Sequence, residues 1–331
     1  MAGRRQKKSG GRSYAWRYRG RIVACVFVEV IIICALVIMI GWNKGVKEWF
    51  EQFEQPVLKE VDISGINSPN AILMQARGGK ILSEINGEAQ IYPASMTKIM
   101  TVILGIENFD DLDEKITLTN EMFSGLYEQD ATQAGFQPGE EVRVIDLLYG
   151  AMLPSGAECC IALADTISGS EADFAELMNK KARKLGMENT HFCDSTGLHN
   201  PDHYSTVKDI AVLMKYCIKN DTFREIVETS RHSTGVTNIH PDGITYYSTM
   251  FKNLSDPTVT GGKILGGKTG YTSEAGHCLV SFAEIEGREY IFVSAGASGA
   301  DGNTIPHIQD AVTVYNRVGA AIEEKMNDNN K

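Results

Sequence analysis

A serine and a lysine three residues apart are the side chains of this sequence best placed to do chemistry together. Ser95 and Lys98 stand in the string Tyr92-Pro-Ala-Ser-Met-Thr-Lys98, which opens an apolar run that predicts a buried helix. This spacing puts both side chains on one helix face, near the positive end of the helix dipole, which suits a developing oxyanion. A desolvated lysine near another cation can remove a serine proton and create a nucleophile. By itself the motif is weak, because an ordinary solvated helix start has the same spacing.

Two further motifs follow along the chain. Pro154-Ser155-Gly-Ala157 lies between two apolar helical runs, where Ser-Gly is usually a cap or a turn. In Gly266-Gly-Lys-Thr-Gly-Tyr271, glycines would let a substrate backbone approach a strand, with an ammonium and a hydroxyl facing its carboxylate. The alternative is a turn with an exposed lysine. Residues 262–269 also match the letters of a phosphate-binding loop, but a strand follows where a helix is needed, which argues against ATP binding.

The elements that must position these motifs come from both ends of the chain. Period-two, β-rich segments predict a hairpin before the motifs and another near the C-terminus, with a long helix-rich stretch between them. The predicted strands are 71–74, 81–85, 278–284 and 290–295, and the predicted helices are 145–153, 159–167, 171–185, 206–218 and a closing helix at 310–323. This order indicates an α+β fold, with an antiparallel sheet from both chain ends and a helical subdomain inserted.

The N-terminal segment predicts a membrane anchor. Residues 1–21 contain eight basic side chains and no acidic one, and residues 22–42 are apolar except for Glu29. At about 1.5 Å per residue the apolar run spans a membrane, and its basic flank places the N-terminus in the cytoplasm. Residues 43–62 follow as an amphipathic stalk, which would lie on the lipid surface or cover part of the domain. The alternative for the apolar run, a buried core helix, is usually shorter.

The rest of the chain is predicted to be one outward-facing domain at 63–323 with a polar tail at 324–331. The net charge is −10 although the first 21 residues are basic, so the body is strongly acidic and a poor candidate for nucleic-acid binding. The seven cysteines and seven histidines show no zinc-ligand spacing, and we expect no metal and no cofactor. Whether the five cysteines beyond the predicted span form disulfides is left open.

The three motifs together form a specific pattern, with 60 residues from Ser95 to Ser155 and 113 from there to Lys268. The sequence resembles the serine D-alanyl-D-alanine carboxypeptidases, the low-molecular-mass penicillin-binding proteins of peptidase family S11, which share a superfamily with the β-lactamases. The resemblance covers roughly residues 65–320 and includes strings at 92–101, 178–192, 196–198, 203–206 and 268–276. It implies a β-lactamase/transpeptidase-like fold.

The resemblance also implies a role for each side chain in a two-step acyl transfer. Ser95 would be the nucleophile that forms an acyl-enzyme with the penultimate D-alanine of a peptidoglycan stem peptide, and Lys98 would be its general base. Ser155 would relay a proton to the departing D-alanine, and water would then release the acyl group. β-Lactam antibiotics would acylate Ser95 as mimics of the dipeptide.

The third motif would bind the substrate. The resemblance implies that Lys268 and Thr269 bind the terminal carboxylate and that Gly270 belongs to the same binding strand. The backbone N–H groups of Ser95 and Tyr271 would form the oxyanion hole.

Two departures from the family pattern bear on activity. The second motif usually ends in asparagine, and this sequence has Ala157 there; losing one such donor costs about 2–4 kcal/mol. Many relatives also place an arginine after the last strand, whereas residues 296–309 contain none. His307 is the nearest cationic candidate for the carboxylate, although a surface histidine that caps the closing helix is the favoured interpretation.

Other functions fit the sequence less well. A β-lactamase would need a deacylating glutamate in an E-x-x-L-N loop, and the nearest string, 176–179, belongs to a predicted helix. A membrane-tethered penicillin- or peptidoglycan-binding scaffold with little turnover is the more serious alternative, because of Ala157 and the missing arginine. The sequence predicts a single-pass membrane carboxypeptidase whose partners are D-Ala-D-Ala stem peptides, β-lactams and the bacterial membrane.

Overall fold

Strands from both ends of the chain form one antiparallel sheet. The structure is a computed structural model, and it describes residues 58–254, 256–299 and 305–329. The strands are β1 (Asn70–Gln75), β2 (Ile81–Ile85), β3 (Lys115–Thr117), β4 (Glu141–Arg143), β5 (Arg231–Ser233), β6 (Thr245–Tyr247), β7 (Thr258–Val259), β8 (Gly262–Thr272), β9 (Gly276–Ile285) and β10 (Arg288–Ala297). Six of them form the main sheet in the order β2-β1-β10-β9-β8-β7, while β3–β4 and β5–β6 form two small sheets.

Both faces of the main sheet are covered. The helices are α1 (Lys98–Asn108), α2 (Val144–Met152), α3 (Ala157–Ser168), α4 (Glu171–Leu185), α5 (Val207–Cys217), α6 (Asp221–Glu228), α7 (Thr249–Asn253) and α8 (Pro306–Asn329). Along β1, Ala71 and Leu73 pack in the core beneath α8, and Ile72 and Met74 pack in the core shared with the other helices. Side chains alternate across a strand, so burial on both faces explains the unbroken apolar run in β1.

Helix α1 occupies the centre of the helical layer. Its first eight residues are all buried, and it contacts α2, α3, α4, α5 and α6. A 3₁₀ turn at Ala94–Thr97 leads directly into α1 and contacts β8 and β9 of the sheet. The helix start is therefore fixed between the two layers, which is where the first sequence motif lies.

The α+β prediction, the two hairpins and the four central helices are confirmed, with shifts of one or two residues at most helix ends. The closing helix is longer than predicted, since α8 includes residues 324–329 of the expected polar tail. Leu58 and Val61, placed in the stalk by the sequence, are buried in the core beneath α8. The cysteines of the described part, Cys159, Cys160, Cys193, Cys217 and Cys278, are all free thiols.

The predicted basic segment, the predicted transmembrane helix and most of the predicted stalk lie outside the described residues. Within the described ranges, no helix is long and apolar enough to cross a membrane.

Candidate active site

Ser95 lies in the 3₁₀ turn, one step before the α-helix in which the sequence placed it. Its Oγ accepts a hydrogen bond of 3.0 Å from Nζ of Lys98, the first residue of α1. The preceding residue, Ala94, has a φ of +46°, a left-handed conformation that alanine rarely adopts. The surrounding packing therefore holds the turn in a strained form, which fixes the direction of the serine side chain.

Lys98 is buried, and its second hydrogen bond runs to a backbone carbonyl. Nζ donates to the carbonyl oxygen of Thr196 at 2.6 Å. Burial lowers the pKa of Lys98 below its usual range, while the nearby acidic side chains Asp194 and Glu158 oppose that shift. A lysine with a lowered pKa and a hydrogen bond to a serine hydroxyl has the geometry of a general base.

A second lysine–serine pair faces the first. Lys268 Nζ donates to Ser155 Oγ at 3.0 Å and to the carbonyl oxygen of its neighbour Thr269 at 2.9 Å. Lys268 is buried, and desolvation together with the positive charge of Lys98 lowers its pKa well below the usual range. Ser155 has a φ of +74°, so the turn between α2 and α3 is also held in a left-handed conformation.

Ala157 begins α3 next to this pair and brings no polar side-chain group to it. Its side chain is buried, and its backbone N–H donates to the carbonyl of Thr132 at 2.8 Å. Further along α3, the thiol of Cys160 donates to the carbonyl oxygen of Gly156 at 3.4 Å. Burial raises the pKa of Cys160 to about 12 against the charge of Lys98, so this side chain remains a neutral thiol.

Strand β8 presents the third motif with strand alternation. Thr269 and Tyr271 line a cavity, and the Thr269 hydroxyl lies 2.7 Å from that of Thr249. Lys268 and Gly270 are buried. A Cβ on Gly270 would stand 3.0 Å from the backbone nitrogen of Ser95, so a side chain there would force β8 or the 3₁₀ turn to shift by a few tenths of an ångström.

The other two glycines of the motif have a different purpose from the one expected. A Cβ on Gly266 would overlap the carbonyl oxygen of Val227, and one on Gly267 would overlap that of Val280. The expectation that these glycines make room for a substrate backbone is therefore wrong for both. They let β8 pack against α6 and β9.

A loop after α4 supports Lys98. The sequence analysis included Thr196 and Gly197 of this loop in the resemblance but assigned them no role, and it missed Asp194. Asp194 Oδ1 accepts hydrogen bonds of 2.7 Å from the backbone N–H groups of Thr196 and Gly197 and from the Thr196 hydroxyl. A Cβ on Gly197, where φ is +79°, would overlap the carbonyl oxygen of Ala94. This loop therefore fixes the carbonyl that accepts from Lys98. The string Asp194-Ser-Thr-Gly197 is typical of such a turn and could have indicated it.

His203 connects this loop to the 3₁₀ turn. Its Nδ1 lies 3.2 Å from Asp194 Oδ2, and its Nε2 lies 2.9 Å from the hydroxyl of Thr97. Burial disfavours the charged form of Asp194, but hydrogen bonds from His203 and Thr196, together with the charge of His203, outweigh burial and lower the pKa of Asp194 to about 2. Asp194 is therefore a partly buried carboxylate, ionised at neutral pH.

The two serines face one cavity of about 1010 Å³. Its wall is formed by loop residues 129–132, by Leu198 and His199, and by the exposed side of β8. The arrangement can bind an extended peptide beside β8 and place a carbonyl group against Ser95. Within the described part of the chain, no group of three or more His, Cys, Asp or Glu side chains could hold a metal ion.

His307 also lines the cavity, but as a buried residue. Its side chain is 4% exposed and stacks on the ring of His277 with 5.0 Å between centroids. The expectation of a surface histidine is therefore wrong, because the start of α8 packs against β9. Burial, with the charge of His277, lowers the pKa of His307 to about 4, so the free imidazole is neutral at pH 7.

Comparison with known proteins gives consistent matches. The Peptidase S11 family, D-alanyl-D-alanine carboxypeptidase, matches residues 57–299. The D-alanyl-D-alanine carboxypeptidase DacF of Bacillus subtilis is 35% identical over 69% of this chain and 57% of its own length. The carboxypeptidase DacC of Escherichia coli is 33% identical over 72% of this chain and 58% of its own. The chain thus spans less than two thirds of the length of these relatives.

The fold also matches a solved structure. The crystal structure of the Streptomyces K15 DD-transpeptidase superposes with a TM-score of 0.69 and 29% identity, over 79% of this chain and 100% of that one. The superposed part has the length of the described domain.

Proposed function

The chain belongs to the S11 peptidases, and from this premise we propose that it is a serine D-alanyl-D-alanine carboxypeptidase that trims peptidoglycan stem peptides. The observation that carries the proposal is the convergence of two lysine–serine pairs, each with a 3.0 Å hydrogen bond, on one peptide-sized cavity. A single Ser-x-x-Lys turn would not support it. Two buried lysines beside two serines supply both the proton transfers and the positive field that acyl transfer needs.

In the proposed reaction Lys98 takes the proton of Ser95, whose Oγ attacks the carbonyl carbon of the penultimate D-alanine. The backbone N–H groups of Ser95 and Tyr271 stabilise the oxyanion. Ser155 passes a proton to the departing amine, while Lys268 and Thr269 hold the terminal carboxylate. Water then hydrolyses the acyl-enzyme, and a penicillin reacts at the same serine.

A scaffold that binds penicillin or peptidoglycan with little turnover is the second candidate. It is favoured by Ala157, which brings no side-chain amide to the position beside Lys98 and Ser155. Acylation does not require that amide if water takes its place, so the two candidates differ in turnover and not in the ability to form an adduct.

We also propose that the protein is a single-pass membrane protein with its catalytic domain outside the cell membrane. The support is the basic segment 1–21 followed by the apolar run 22–42. Protease treatment of intact cells tests it, because the domain at 63–323 should be cleaved while an N-terminal tag stays protected.

The activity is tested with the full chain in detergent, as wild type and as Ser95→Ala. Each is incubated with a peptide ending in lysyl-D-alanyl-D-alanine and assayed for free D-alanine, and a parallel sample with penicillin is analysed by intact mass. Release and adduct, both lost in the variant, are expected. An adduct without release would favour the scaffold, and neither outcome in a folded sample would overturn the proposed chemistry.

A further inference from the structure

Three rings from three elements contact one another along one side of the cavity. Tyr271 on β8 contacts His277 on β9 with 4.6 Å between ring centroids. His277 in turn stacks on His307, in the first turn of α8, at 5.0 Å and with only 8° between the ring planes. All three side chains line the cavity that contains Ser95.

The inner ring of the stack has an unsatisfied polar atom. His307 is 4% exposed, and its Nδ1 is buried with no hydrogen-bond partner. Buried polar groups in native proteins are nearly always paired, so an orphaned imidazole nitrogen in a cavity wall requires an explanation. A ligand, or a proton gained when the ligand arrives, would supply one.

The charged and titratable side chains of the cavity wall also point to His277 and His307. Of its described lining residues none is lysine or arginine, since Lys98 and Lys268 lie behind the two serines. The side chains on the wall that can become cations are histidines. A peptide that ends in a free carboxylate brings a negative charge into this space, and charge-assisted hydrogen bonds to a carboxylate are the strongest available to it.

We infer that the stacked histidines, His277 and His307, bind the terminal carboxylate of the substrate together with Thr269 and Lys268, and take up one proton from solvent when it binds. This inference rests on the proposed function for the identity of the substrate. In the free protein burial lowers the pKa of both rings, and that of His307 to about 4. An entering carboxylate favours the imidazolium form, while repulsion between two stacked cations limits the pair to one proton.

Few other titratable groups face the pair. Tyr271 packs on it from β8, Glu274 lies in the turn between β8 and β9, and Asp310 lies one helical turn after His307. Asp310 is tied by hydrogen bonds of 2.6–2.9 Å to Asn67 and Ser68. Glu274 lies 3.9 Å from His199, the third histidine of the cavity wall. The carboxylate of the substrate is thus the charge that changes when the site fills.

The experiment compares a carboxylate with its neutral form. Acylation of the full-length protein by benzylpenicillin and by benzylpenicillin methyl ester is followed by intact mass from about pH 5 to about pH 8. Both reagents use the same serine and base, so the ratio of the two rates isolates carboxylate recognition. We expect the ratio to fall as the pH rises, by up to about tenfold per pH unit.

Two variants and a matched control assign that slope. His277→Phe and His307→Phe each keep a ring in the stack and remove one of its two proton sites, so the pH dependence of the ratio should weaken in each and be lost in the double variant. His199→Phe changes the other cavity histidine and should keep the slope. A slope that persists in the double variant would assign the effect to Lys268 and overturn the inference.

A spectroscopic measurement on the wild type avoids any folding defect in the variants. With ¹⁵N-labelled histidine, acylation by penicillin should move one imidazole signal pair to imidazolium values, and acylation by the ester should not. Unchanged histidine signals in a protein that penicillin acylates would overturn the inference while leaving the proposed function intact. Failure of both reagents to acylate would count against the proposed function instead.

Discussion

The two serine–lysine pairs at the cavity have the same hydrogen-bond distance, but the chain brings their residues together in different ways. Ser95 and Lys98 are three residues apart at one helix start, whereas Ser155 and Lys268 are 113 residues apart, on a turn between helices and on a strand. In each pair Nζ lies 3.0 Å from Oγ. The first pair therefore depends on local backbone geometry, and the second on how the helical layer sits on the sheet.

The pairs also differ in the charges around them. Acidic neighbours of Lys98, among them Asp194, raise its pKa against burial, whereas the charge of Lys98 lowers the pKa of Lys268 further. A substrate carboxylate near Lys268 would raise the pKa of Lys268, because it stabilises the charged ammonium. The positive charge on Lys268 would then lower the pKa of Lys98. Substrate binding would thus favour the neutral form of Lys98 that can act as the base, and the titrations of the two lysines would be coupled.

The largest expected effect comes from removing the base of the local pair. Lys98→Met leaves Ser95 without a proton acceptor, and we expect kcat/KM for D-alanine release to fall by about 10³- to 10⁴-fold. Penicillin acylation should slow in parallel. Lys208→Met, which removes an exposed lysine paired with Glu88, is the control and should keep wild-type rates. A loss below about tenfold would show that Lys98 is not the base.

The support of the local pair can be broken without touching either side chain. Gly197→Ala places a Cβ on the carbonyl oxygen of Ala94, and we expect the free energy of unfolding in urea to fall by at least about 3 kcal/mol. Gly186→Ala is the matched control, because Gly186 has the same φ of +79° and no atom within 4 Å of the added Cβ. It should lose only about 1–2 kcal/mol. Equal losses would mean that the contact with Ala94 is unimportant.

The long-range pair is tested at its serine. Ser155→Ala and Ser155→Gly both remove the hydroxyl that accepts from Lys268, and we expect kcat/KM to fall by about 10²-fold in each. The glycine variant should be the more stable of the two, because it relieves the left-handed φ of +74°. Wild-type turnover in either variant would exclude the proton relay.

The smallest effect is expected for Asp194, whose charge raises the pKa of Lys98. The fold lowers the pKa of Asp194 to about 2 from its ordinary value of 3.8, so its ionisation stabilises the fold above about pH 4 and that stability is lost as the pH falls toward 2. Asp194→Asn should cost about 2 kcal/mol at pH 7 in urea unfolding and flatten this acid-dependent loss.

The same variant has a kinetic signature. The charge of Asp194 raises the pKa of Lys98, so removing it should move the acidic limb of the kcat/KM profile to lower pH. An unmoved limb would show that Asp194 acts on the loop alone.

The contrast between the pairs also explains what the sequence could predict. Spacing alone placed Ser95 and Lys98 together, since three residues in a helical turn bring side chains to one face. No spacing rule brings Ser155 to Lys268, and only the resemblance to a known family connected them. Periodicity predicted the long elements, but β3 to β6 have only three residues each, too few for a pattern.

The errors have one physical cause. His307 was expected at the surface as a cap of the closing helix, whereas it is buried by contacts with residues distant in sequence, among them His277, thirty positions earlier on β9. His203 entered the analysis only as part of a string similar to the family and received no role, because its partners Thr97 and Asp194 lie in other elements. Residues that position the reactive groups from a distance cannot be recognised from local composition.

The pairing of β1 with β10 sets the order in which the chain can fold. Asn70 lies opposite Ala295, so the first hairpin is synthesised more than two hundred residues before the strand that completes its pairing. Until then β1 has an open edge and apolar side chains for both faces, a state prone to aggregation. Productive folding of this protein therefore waits for its last strand, and a ribosome that stops before residue 288 leaves a chain that cannot close its sheet.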